Sequence, residues 1–69
     1  MYRDNKTVAQ LTYNPDTDRY ELDGCDLHCG DCLTVLIAGK WVDTRIEYGE
    51  DWYLVGLTGY QIGGLFAKT

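Results

Sequence analysis

At 69 residues the chain has room for one domain, and its core must draw on large side chains such as its two Trp, six Tyr and one Phe, because a domain this small buries only about 60% of its unfolded surface. A net charge of −5, with six basic residues scattered from Arg3 to Lys68, lacks the clustered Lys and Arg that bind phosphate backbones or anionic bilayers, so neither nucleic acid nor membrane is expected as a partner. Three cysteines are an odd number, which argues against a closed disulfide framework and for free thiols in a reducing cytoplasm.

The first ten residues, "MYRDNKTVAQ", hold no apolar run of the kind that opens a secretory leader, and no later run approaches the roughly 18 residues of a membrane span. Residues 1–6 are expected to form a flexible tail and residues 7–69 a single domain. Ala9, Leu11 and Tyr13 alternate, with Val8 out of step, and "NPDTD" is turn chemistry. A four-residue loop over 15–18 would set Tyr13 opposite Tyr20 and Leu11 opposite Leu22, which pairs apolar with apolar.

The next hairpin is built from "LTVLI" and "KWVDTRI" around Ala38-Gly39. A two-residue loop there pairs Ile37 with Lys40, Val35 with Val42 and Leu33 with Thr44, leaving Leu36 and Trp41 together on the other face. A three-residue loop, Gly49-Glu50-Asp51, then pairs Tyr48 with Trp52, Glu47 with Tyr53, Ile46 with Leu54 and Arg45 with Val55. One face therefore carries Leu33, Val35, Val42, Ile46, Tyr48, Trp52 and Leu54 as a core stripe. The other mixes Leu36, Trp41, Tyr53, Val55 and Leu57 with Thr34, Asp43, Arg45 and Glu47. In the tail, residues 58–63 suit a turn or a short 3₁₀ segment, and "GLFAK" suits a last strand. No segment has a helical stripe, so the expected fold class is all-β: a small barrel of about five or six short antiparallel strands.

Chemistry gathers only in "GCDLHCGDCL", residues 24–33, which holds all three cysteines and the single histidine. Cys25, His28, Cys29 and Cys32 make up the count of a four-ligand zinc site, and a small zinc-binding regulator is the alternative reading. The spacing opposes it, because four ligands within eight residues would staple only a local loop and His28 adjoins Cys29. Redox use is weaker still: a reactive Cys-x-x-Cys opens a helix, whereas this one leads into a strand. A Cys-His pair without a third orienting group or an oxyanion hole gives no nucleophile, so no enzyme and no cofactor are expected. The remaining reading is a corner, in which Gly30 supplies positive φ and Asp31 bonds the local backbone.

The spacing Leu27, Gly30, Asp31, Leu33 and Val35 resembles the diverging turn and following strand of SH3-like barrels, and "GKWVDTRIEY" with "WYLVG" resembles the two strands after it. From Leu27 to Leu57 the chain is also similar to a family of short bacterial proteins of unknown function, through the words "HCGD", "GKW", "TRIE" and "WYLVGL". That resemblance implies an SH3-like barrel, a bacterial cytoplasmic setting and association with mobile elements, and it implies no activity. "HCGD" includes Cys29 but neither Cys25 nor Cys32, which further weakens a four-ligand site. Peptide-binding SH3 domains place an acidic loop against an aromatic groove, a feature not found here, so recognition of Pro-rich ligands is not carried over. The expected function is a non-catalytic protein-interaction module, meeting a protein partner or a second copy of itself. Its contact residues are Leu36, Trp41, Arg45, Tyr53 and Val55, which combine aromatic, aliphatic and guanidinium groups as interface hot spots do.

Overall fold

The computed structural model describes residues 8–69; the expected tail over 1–6 lies outside them. All regular elements among the described residues are strands: β1 (Ala9–Gln10), β2 (Thr12–Asn14), β3 (Arg19–Leu22), β4 (Cys25–Asp26), β5 (Cys32–Ile37), β6 (Lys40–Tyr48), β7 (Trp52–Leu54) and β8 (Phe66–Lys68). They form a five-stranded sheet in the order β1-β8-β5-β6-β7 and a three-stranded sheet in the order β2-β3-β4, with every pairing antiparallel. The result is an all-β, barrel-like domain.

The eight strands exceed the expected five or six for two local reasons. The first expected strand bends at Leu11, whose N–H donates to Leu65 O and whose carbonyl accepts from Gly64 N–H, both at 2.8 Å. The bend carries the chain from one sheet into the other, as corners of packed sheets do. The second addition is β4, where Cys25 and Asp26 pair with Leu22 and Glu21 in a stretch read as a turn.

Turn chemistry sets the registers. Pro15 to Asp18 form the four-residue loop that places Tyr13 opposite Tyr20. Ala38 and Gly39 both have positive φ, 51° and 80°, the type I′ geometry whose twist matches the flanking strands. Ile37 then meets Lys40, Val35 meets Val42 and Leu33 meets Thr44. Beyond residues 49–51, Tyr48 meets Trp52 and Ile46 meets Leu54, as the alternation requires. The tail forms turns rather than 3₁₀ helix, and β8 lies within "GLFAK".

Side chains that the two sheets turn toward each other make the core. Leu11, Leu22 and Leu27 come from the first part of the chain, Leu33, Val35, Ile46 and Leu54 from the hairpins, and Ile62 and Ala67 from the tail. Each large member contributes about 1.5–3 kcal/mol by leaving water. Among the described residues no polar or charged side chain is buried. The expected core stripe ends early: Val42 and Trp52 are half-buried and Tyr48 is exposed. Tyr48 and Trp52 sit at the loop end of their hairpin, next to residues 49–51, where they line an open surface rather than the closed core, and their rings meet edge-on at 4.8 Å.

Candidate functional site

Strand alternation assigns the outer face of the five-stranded sheet. Because Val35, Ile46, Leu54 and Ala67 point into the core, their neighbours point away from it. Trp41 stands beside Leu36, Thr34 between Lys68 and Asp43, and Cys32 beside Arg45. One step along the same register sets Phe66 beside Leu36. Toward the other edge Glu47 pairs with Tyr53, and Val55 N–H donates to Arg45 O at 3.0 Å. The structure thus puts all five expected contact residues, Leu36, Trp41, Arg45, Tyr53 and Val55, on one surface. It also divides them. Trp41 and Leu36 share an apolar row with Phe66, while Tyr53 and Val55 form a second patch, with Asp43 and Arg45 between the two.

These side chains remain in contact with water. Trp41 keeps 41% of its surface exposed, Phe66 46%, Tyr53 37% and Val55 36%, whereas Leu36 is half-buried. Lys68 stacks its ammonium 4.3 Å from the centre of the Trp41 ring, a cation–π contact that leaves the rest of the indole open. The charged groups of this face are engaged locally. Arg45 Nε donates to Glu47 Oε2 at 2.7 Å, and this bond and the carboxylate charge push the guanidinium pKa further up. Thr34 Oγ1 donates to Asp43 Oδ1 at 2.9 Å.

The cysteine-histidine segment is a closed corner. Asp31 N–H donates to His28 O at 3.0 Å and His28 N–H donates to Asp31 Oδ2 at 2.8 Å. Gly30 has φ 91°, as the third position of a type II turn demands. A Cβ there would meet nothing within 4 Å, so the requirement is conformational rather than steric. The turn docks on β6, with Gly30 N–H donating to Ile46 O and Ile46 N–H donating to Asp31 O. All three cysteines are free and exposed. Cys25 lies in β4, Cys29 at the turn and Cys32 on the outer sheet face beside Arg45. The His28 ring lies 3.7 Å from the Asp31 carboxylate. Among the described residues no group of three or more His, Cys, Asp or Glu side chains is placed to hold a metal ion.

A second surface feature escaped the sequence reading. An open cleft of about 510 Å³ is lined by Thr17, Asp18, Arg19, His28, Cys29, Tyr48 and Trp52. Long-range contacts fix its walls: Trp52 Nε1 donates to Asp18 O at 2.9 Å, Arg19 Nη1 donates to Leu27 O at 3.3 Å, and the Arg19 guanidinium lies 5.8 Å from the Trp52 ring centre. Asp18 and Trp52 are 34 positions apart, so no local spacing announces their meeting. Lys68 and Phe66 were missed on the outer face for the same reason, since they arrive there through the pairing of β8 with β5.

A family model described as a domain of unknown function, DUF5348, matches residues 9–65. The chain is similar to a protein from Ruminococcus gnavus, a structural genomics target, whose crystal structure superposes with a TM-score of 0.79 at 39% identity. The match covers 91% of this chain and 100% of that one. No curated protein matches the chain.

Proposed function

The chain belongs to the DUF5348 family of domains of unknown function, and within that family we propose that it is a non-catalytic protein-interaction module of the bacterial cytoplasm. It meets its partner through the outer sheet face, with Leu36, Trp41, Arg45, Tyr53 and Val55 as contact residues and Phe66 beside them. What supports this reading above all is that Trp41 and Tyr53, two large aromatic side chains on a regular sheet, are 41% and 37% exposed. An aromatic ring held on rigid backbone offers contact area at little entropic cost, which is why such rings dominate interface energetics.

The chemistry of the face indicates what it takes. Asp43 and Glu47 balance Arg45 and Lys68, whereas the chain as a whole carries −5. Arg45, Asp43 and Lys68 already have partners on the face. A protein surface with an apolar centre and a sparse, mixed-sign rim would leave none of these charges buried and unpaired.

Affinity capture from the native host tests the reading. Tagged wild type and the Trp41→Ser/Tyr53→Ser double variant are compared, with the Trp52 indole resonance as a check on the fold. The proposal expects at least one protein, a second copy included, to be retained by wild type and depleted more than tenfold with the variant. Identical retention by both would refute it.

A further inference from the structure

Resting on the reading of the outer face as the contact surface, we infer that its occupant is a second copy of this chain, packed face to face about a two-fold axis along β5. Strand register points to this arrangement. β5 is the middle strand of the order β1-β8-β5-β6-β7. A two-fold rotation about an axis parallel to that strand keeps each residue at its level along the sheet and exchanges the flanking strands, so β8 of one copy faces β6 of the other.

The levels match at the two positions where β8, β5 and β6 run side by side on the outer face, Thr34 and Leu36. Lys68 and Asp43 flank Thr34 at one level, so the Lys68 position of each copy faces Asp43 of the other, and the ammonium reaches that carboxylate by leaving the Trp41 ring of its own chain. At the next level Trp41 stands beside Leu36, with Phe66 on the opposite side of β5. Phe66 of each copy therefore faces Trp41 of the other, and Leu36 faces Leu36 on the axis. The same operation that sets cation against carboxylate sets aromatic against aromatic, as an isologous interface requires. The arrangement is the aligned packing of two sheets, in which strands of the two layers run within about 30° of one another.

Charge favours this contact over any that would set two unbalanced surfaces together. Two chains of −5 repel each other at long range, so self-association needs a surface that does not add to the repulsion. On this one Asp43 and Glu47 offset Arg45 and Lys68. The ion pairs across the axis set register more than affinity, since exposed pairs are worth little while like charges placed opposite one another are costly.

Sedimentation velocity of the full chain over a hundredfold concentration range, with a charge swap, tests the inference. Wild type is expected to show a monomer–dimer equilibrium. Lys68→Glu and Asp43→Lys, each alone, set like charges together and should raise Kd at least tenfold. The combined K68E/D43K variant restores opposite charges and should return Kd to within threefold of wild type. Leu36→Glu, which would bring two carboxylates together on the axis, should abolish the dimer. Its amide spectrum reports whether the monomer still folds.

A wild-type monomer at all concentrations would overturn the inference, as would a dimer indifferent to the single charge reversals or a swap that fails to restore it. A monomer whose capture of a different protein still depends on Trp41 and Tyr53 would remove the second copy and keep the interaction face. A monomer without that dependence would remove both.

Discussion

The phenol of Tyr13 donates to the Asp18 carboxylate, and this bond, ahead of burial and the charges of Asp18, Tyr20 and Asp51, pushes its pKa up to about 12. Tyr20, whose ring lies tilted against that of Tyr13 with centres 5.1 Å apart, is raised as well, first by burial and then by Asp51 and Asp18. For a phenol raised above its usual value near 10 the sign is fixed: the folded state holds the proton more tightly. The stabilising contribution of Tyr13 is complete below about pH 10 and is lost as pH rises through about 12. Tyrosine-resolved NMR titration should therefore find Tyr13 ionising above the value of a free phenol. Asp18→Asn, which removes the charge and keeps an acceptor at a residue with φ 55°, should bring Tyr13 back toward 10. An unchanged midpoint in the variant would show that Asp18 is not the cause. The pairing of Tyr13 with Tyr20 was legible from the turn between them, but the role of Asp18 was not. Its carbonyl is committed to Trp52 and its carboxylate to Tyr13, two contacts that depend on tertiary placement.

Among the elements, β1, β8 and β5 meet where small side chains allow them to. Ala9 pairs with Ala67, and Ala67, which also pairs with Val35, is fully buried. Ala67→Val adds two methyl groups at a fully buried position and should cost about 1–3 kcal/mol. Denaturant melts should show the midpoint falling with an unchanged slope, and equal stability would mean that the sheet yields there. The hairpins on either side of β6 could be read in full from sequence, because each is closed by a short turn whose length sets the register of every following pair. Pairing of β8 with β5 spans about thirty residues and leaves no comparable local mark. That pairing alone brings Phe66 and Lys68 beside Leu36 and Trp41, and the bend at Leu11, where the chain changes sheets, depends on equally distant partners in Gly64 and Leu65. The early end of the core stripe at Tyr48 was hidden for a related reason: alternation tells which way a side chain points, and only the three-dimensional layer tells whether anything covers it.

On the scale of the whole molecule, apolar groups gather in two places, apart from exposed rings such as Tyr13, Tyr48 and Tyr60 that stand elsewhere. One is a core without a buried polar side chain among the described residues, and the other is an outer sheet face where large rings meet water. Isolated exposed apolar residues are ordinary, but Trp41, Phe66, Tyr53 and Val55 share one rigid sheet, and grouped exposure of that kind marks contact surfaces. The segment with the most conspicuous chemistry, residues 24–33, is chiefly a corner that ties its turn to Ile46. The proposed contact surface is therefore the sheet face rather than the thiols. The most direct test is photo-crosslinking in the native host, with a photoreactive phenylalanine analogue placed in turn at Trp41, at Tyr53 and, as a control, at Tyr60, which is exposed in the turn before β8. The account predicts a discrete covalent adduct, to another protein or to a second copy, from the first two positions and not from Tyr60. Adducts absent from both face positions, or equal at all three, would contradict it.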